Sequence, residues 1–223
     1  MTESAGPVSG AGFFESTRDD LAKTFVSKKP PAAVQQCVPQ TVAQWRAEHK
    51  DDIEKAIAAQ RQMLLNRKAD LAKWNNDAKG DFFGAFGDDT DAMKQTISDR
   101  VDRELALNSK LTVDNFAPAA VAKDGRYAYV HPDDADHTIF LDKAFWEAPM
   151  TGENSKGGTL CHEMSHFTDI GGTQDFFKDY NGGNVVYGVK NSSALSEARP
   201  DLAMQHADSF EYYCESEMPT DGN

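Results

Sequence analysis

The run Cys161-His162-Glu163-Met164-Ser165-His166-Phe167 reads H-E-x-x-H. In a helix, residues four apart lie one turn apart on one face. His162 and His166 can therefore offer two imidazole nitrogens to a single ion, and zinc suits that donor pair at that spacing. Glu163 can reach a water in the position that such a zinc leaves open, where a carboxylate serves as general base. This is chemistry for hydrolysing a peptide bond. A surface helix with two solvated histidines would carry the same five letters, but the flanks argue against it. Residues 155–160, with Gly157 and Gly158, read as a flexible turn leading into a short helix, and Gly171-Gly172 reads as its stop.

A zinc that does chemistry takes a third protein ligand. Asp175, in Gly172-Thr173-Gln174-Asp175, lies nine residues beyond His166 and past the glycines, so the chain can fold back to offer its carboxylate. H-E-x-x-H followed by G-T-x-D resembles the M35 deuterolysin-like metalloendopeptidases, the aspzincins, and in particular their peptidyl-lysine metalloendopeptidase branch. The family pattern continues G-T-x-D-x-x-Y-G. The likeness includes Tyr127-Ala128-Tyr129-Val130-His131-Pro132, Ile139-Phe140-Leu141 and Phe145-Trp146-Glu147-Ala148-Pro149 upstream. Downstream it includes Ala207-Asp208-Ser209-Phe210-Glu211-Tyr212-Tyr213. It is specific from about residue 127 to residue 215 and weaker from 37 to 87. In one respect the chain departs from the pattern. The family's tyrosine follows the aspartate by three residues, but Lys178 stands there and Tyr187-Gly188 restores the pair later, so an insertion of about nine residues is placed between them. Asp179 and Tyr180, inside that stretch, are the competing choices for ligand and tyrosine. Asp175 is preferred because it keeps G-T-x-D intact.

The resemblance implies a zinc endopeptidase holding one Zn2+ per chain through His162, His166 and Asp175, with Glu163 as general base. It also implies that Tyr187 hydrogen-bonds the oxyanion. Asp208 and Glu211, one helical turn apart, would bind the ammonium of the lysine that follows the scissile bond. Two carboxylates on one face suit a compact ammonium. The expected fold is α+β: a mainly helical, zincin-like metalloprotease domain with a small β-sheet and the H-E-x-x-H zinc helix. A non-catalytic or cell-wall-directed secreted effector that keeps a zinc site is the alternative. The intact Glu163 weighs against it, because a structural site has no use for that carboxylate.

Length and charge fit this reading. The 223 residues carry a formal net charge of -13, which argues against a nucleic-acid partner and favours a basic peptide substrate, while solubility accounts for most of these carboxylates; lysine in that substrate is what the resemblance implies. No run is long and apolar enough to span a membrane. The first twelve residues lack the basic start and apolar core of a Sec signal. Synthesis in the cytoplasm is therefore expected, with export through a specialised secretion system and an immunity or chaperone partner if the protein acts outside, as a monomer. Three cysteines are an odd count. The resemblance places a disulfide partner for Cys37 between residues 111 and 122, where there is none, and another cysteine where Asp142 stands. A Cys37–Cys214 bridge has no support, and Cys161, turned about 100° from its histidine neighbour, reads as a small core residue.

Other elements must position these groups. Residues 1–36 are expected to be a partly disordered extension, 37–217 the aspzincin-like domain and 218–223 a disordered tail. A helical segment over residues 39–75 has an apolar stripe of Ile53, Ala56, Ile57, Met63, Leu64, Leu71 and Trp74, with charged residues on its other face. Residues 82–87 read as an aromatic turn, and residues 88–91 as a helix cap rather than a calcium loop. Met93, Ile97, Val101 and Leu105 mark the following helix. Residues 110–116, 128–130 and 138–141 read as strands, and 193–217 as helix with a break at Pro200. His131 and His137 flank a polar loop that a second metal could occupy; a hairpin loop is the default.

Overall fold

The computed structural model describes residues 41–175 and 187–216. The expectations for the N-terminal extension, Cys37, Asp179, Tyr180 and the tail fall outside these residues. Eight helices and three short strands are described: α1 Val42–Lys73, α2 Asn76–Phe86, α3 Asp91–Asn108, β1 Phe116–Pro118, β2 Ala128–Val130, β3 Ile139–Leu141, α4 Lys143–Glu147, α5 Lys156–His166, α6 Val189–Ala198, α7 Pro200–Ala203 and α8 Ala207–Glu215. The fold is mostly helical with a small mixed sheet, as expected. Strand order is β1-β3-β2, with β1 parallel and β2 antiparallel to β3, so β2 is an edge. None of the described helices is long and apolar enough to cross a membrane.

The long helix starts where the sequence allows it. Thr41 caps α1 through the Gln44 amide, and the Gln44 side chain bonds back to Thr41. Its buried face is not purely apolar: Gln60, Arg67 and Asp70 lie inside beside Ile53, Ala56, Leu64 and Leu71. Helical period cannot reveal that, because Gln60 and Arg67 are matched by groups distant in sequence. Gln60 reaches Glu104 of α3 at 3.3 Å and accepts from Asn108 at 2.8 Å. Arg67 pairs with Asp70 at 2.9 Å and donates to Ser216 at 2.9 Å.

Three other expectations change. Residues 82–87 form the end of α2, capped by Gly87, because Asn75 caps a helix start the aromatic run had masked. Only residue 116 of the expected strand 110–116 is strand; Thr112 turns the chain through a 3-10 turn, Val113–Asn115, first. The region after residue 187 is three helices, with Pro200 at the first position of α7. Thr90 does cap α3, and Asp134 of the polar loop accepts from the Thr138 and Asp136 amides, as a loop organiser would.

Helix α5 runs between two apolar cores. Leu160 and Met164, one turn apart, pack with Phe116, Ile139, Leu141 and Phe145 against the sheet side. Cys161 points into the other core with Leu64, Phe82, Val101, Phe210 and Tyr213 from α1, α2, α3 and α8. Each buried phenylalanine contributes about 1.5–3 kcal/mol. With two faces committed to apolar contact, the third, carrying His162, Glu163 and His166, is turned to the remaining side.

Candidate active site

The start of α5 differs from the flexible approach expected of residues 155–160. Ser155 is the N-cap, accepting from the Gly158 amide at 2.9 Å, and Lys156 through Leu160 are buried within the helix. The glycines serve close packing. A Cβ on Gly158 would lie 1.9 Å from Glu215 Oε1. That carboxylate accepts from Ser155 N at 2.7 Å, Ser155 Oγ at 2.8 Å and Asn154 N at 3.0 Å. A buried acid from the end of α8 thus binds the positive end of the metal helix. Its carboxyl is pushed up to about 7 by burial, with Glu211 adding to the push and the three donors opposing it.

Past His166 the chain turns back. Helix α5 ends there, the amides of Gly171 and Gly172 both donate to Phe167 O, and Gly172 takes a φ of 57°. Thr173 N then returns to Ser165 O at 3.1 Å, and Gln174 pairs with the entry to α8 through Gln174 N to Gln205 O (2.8 Å) and Ala207 N to Gln174 O (3.3 Å). Asp175 follows at once. Its Oδ1 lies 3.3 Å from His162 Nε2 and 3.6 Å from His166 Nε2.

Each imidazole is oriented through its other nitrogen. His166 Nδ1 is 2.9 Å from Thr173 O, an acceptor, so it carries the proton and leaves Nε2 free. His162 Nδ1 lies 3.0 Å from Glu211 Oε2, in hydrogen-bond geometry, and 3.0 Å from Asp208 Oδ1. Burial disfavours a charged His162, but Asp175, Asp208 and Glu211 outweigh it and raise its pKa. Asp175 Oδ1 is buried and has no hydrogen-bond partner among the described residues. Such an orphaned acceptor costs stability unless a cation completes it. Two nitrogens and one carboxylate oxygen, all within 4.8 Å of one another, are the donor set of a zinc site with room for a fourth ligand. The residues fit the metal.

Around this point is a cleft of about 990 Å³. His162, Glu163, His166, Asp175, Tyr187, Asp208 and Glu211, the seven residues singled out from the sequence, all line it. Glu163 is pushed up to about 7 by burial, with Asp175 and Glu211 raising it and His162 and Arg126 lowering it. Tyr187 is 45% exposed, which leaves its ring in the cleft mouth, and partial burial together with the nearby Asp175 carboxylate raises its hydroxyl's pKa. All of β2 lies along one wall. Asp142 holds the approach to that wall: buried, it accepts from Lys123 N at 3.0 Å and Arg126 Nε at 2.8 Å. An ion pair thus ties down a segment for which the resemblance implied a disulfide. Cys161 and Cys214 are buried free thiols.

Thr173, Ser155, Gly158 and Glu215 were missed as supporting residues. Thr173 lay in the G-T-x-D motif, a signal that could have found it; no local signal links Glu215 to Ser155, sixty residues away.

The family profile described as lysine-specific metallo-endopeptidase, the M35 aspzincins, matches residues 69–215, and the chain belongs to this family. An extracellular protease of Aeromonas hydrophila is 32% identical over 169 residues, covering 75% of this chain and 44% of that protein. A peptidyl-Lys metalloendopeptidase of Armillaria mellea is 43% identical over 90 residues, covering 40% of this chain and 23% of that protein. This chain therefore spans less than half the length of either relative. A solved zinc peptidase from Grifola frondosa superposes with a TM-score of 0.64 at 27% identity, over 76% of this chain and 95% of that one. Aspzincins are zinc-dependent.

Proposed function

We propose that this chain is a zinc endopeptidase that cuts peptide bonds on the amino side of lysine. The observation that carries the reading is the convergence of His162 Nε2, His166 Nε2 and the orphaned Asp175 Oδ1 beside Glu163 in one cleft. His162, His166 and Asp175 would hold the metal. Zinc, when bound, polarises a carbonyl and acidifies water. Glu163 takes the proton of the attacking water and delivers it to the leaving amine. Tyr187 turns its hydroxyl to the oxygen on which negative charge develops. The outer edge of β2, unpaired among the described residues, offers backbone groups to an extended substrate. Asp208 and Glu211 make the inner end of the cleft acidic and suited to the ammonium of a lysine side chain.

The names of the relatives support both parts: one is an extracellular protease and the other a peptidyl-Lys metalloendopeptidase. We place the action of this protein outside the cell on the same ground. Its role as a bacterial effector is the finer reading, supported by a described fold whose two cysteines are unpaired; comparing export in the host with and without its specialised secretion systems tests it. For the activity, a denatured protein is digested with zinc-loaded enzyme and the products are sequenced by mass spectrometry. New N-termini should be lysine. Termini spread over residue types would reject the lysine pocket, and no cleavage at all would reject the peptidase.

A further inference from the structure

Eleven residues separate Asp175 from Tyr187, so chain connectivity alone does not fix where the tyrosine sits. Eleven residues of chain are long enough to allow a wide range of end-to-end separations. Yet Tyr187 and Asp175 line the same cleft. Contacts among the described residues hold the Tyr187 segment as well.

Gly188 N donates to Asp208 Oδ2 at 2.8 Å, and Asn191 Nδ2 donates to Tyr187 O at 2.8 Å. Gly188 precedes α6 without any side-chain cap and has a φ of 86°. The Asn191 bond is local and moves with α6. The Asp208 bond crosses from α6 to α8, and Asp208 is 4% exposed, with its other oxygen 3.0 Å from His162 Nδ1. One buried carboxylate therefore spans the metal ligand and the backbone that carries the tyrosine. Glu211 differs: among the described residues its hydrogen bond goes to His162.

We propose that Asp208 is a positioning residue for Tyr187, acting through the Gly188 amide, in addition to contributing charge to the cleft. This rests on the peptidase reading for its kinetic consequence but not for its structural one. Asparagine and alanine separate the two jobs. The Asp208→Asn variant keeps an oxygen able to accept from Gly188 N but loses the charge. The Asp208→Ala variant loses both.

The test combines hydrogen exchange with kinetics on the zinc-loaded full chain. The Gly188 amide should be protected in the wild type and in Asp208→Asn, and exchange at least tenfold faster in Asp208→Ala. Zinc content is measured in each. On a peptide with lysine after the scissile bond, Asp208→Asn should chiefly raise KM. Asp208→Ala should also lower kcat to about the level of Tyr187→Phe, and the two changes together should cost no more than one alone. Unchanged Gly188 protection in Asp208→Ala, or kcat losses that multiply in the double variant, would overturn the proposal. If the wild type cleaves nothing while the exchange pattern appears, the peptidase reading fails and the anchor stands.

Discussion

Gly158 and Glu215 occupy one another's space: the carboxylate of the last residue of α8 sits where a side chain at position 158 would begin, 1.9 Å from the Cβ that glycine lacks. Three hydrogen bonds to residues 154 and 155 hold that carboxylate, so it cannot swing aside freely. The Gly158→Ala variant should therefore lose about 1–3 kcal/mol of stability, the usual cost of forcing atoms into a packed site. Glu215→Ala should cost a similar amount by leaving its donors unmet. The double variant should be more stable than the sum of the two losses predicts. Denaturant titrations of the four proteins check this; strict additivity would show that the two residues do not compete.

The same carboxyl makes stability depend on pH. Burial holds Glu215 up at about 7 against an ordinary value of 4.5. The folded protein then binds more protons than the unfolded chain between those values. Its contribution is fully present below 4.5 and is lost as pH rises through 7. Melting curves from pH 4.5 to 8 should show this loss in the wild type and a flatter profile in Glu215→Gln. Equal slopes in the two proteins would remove Glu215 from the account.

Asp142 works in the opposite sense. Hydrogen bonds from the Lys123 and Lys143 amides and from Arg126 outweigh burial and hold its carboxyl below the ordinary value of 3.8. That stability is present above 3.8 and lost as pH falls through the lowered value. Asp142→Ala should lose roughly 1–3 kcal/mol and release residues 123–126 at the cleft wall. Limited proteolysis should then cut in that segment first; protection equal to the wild type would count against the ion pair as its tether.

The metal set can be separated from the base. Asp175→Ala should lose most of its zinc by elemental analysis. Loss on Asp179→Ala instead would transfer the ligand role. Glu163→Gln should keep zinc and fold, yet lower turnover by about 10²–10⁴-fold. Retained turnover in that variant would sink the role given to Glu163.

What could be read from the sequence was what is local or periodic. H-E-x-x-H declares itself because four residues make one helical turn, and Asp175 followed from a motif nearby. The apolar stripe of α1 was legible for the same reason. Gln60 and Arg67 were not, because they bond to α3 and to Ser216 and no short window holds both partners. The start of α5 was misread because Gly157 and Gly158 are poor helix formers. Their smallness is used against neighbours, Met63 beside one and Glu215 beside the other, that only tertiary structure brings near.

The site is assembled out of chain order. Helix α5 supplies two metal ligands and the base, yet Glu211, which aims His162, and Glu215, which seats the first turn of α5, both come from α8. The segment leading to Asp175 is itself pinned to the entry of α8 through Gln174. Synthesis proceeds from the N-terminus, so a nascent chain bears the whole H-E-x-x-H motif well before it has the helix that aims it. A growing or truncated chain that stops short of Ala207 is a set of ligands without a scaffold. Competence arrives only when α8 has been made and has docked, because Glu211 and Glu215 are its residues.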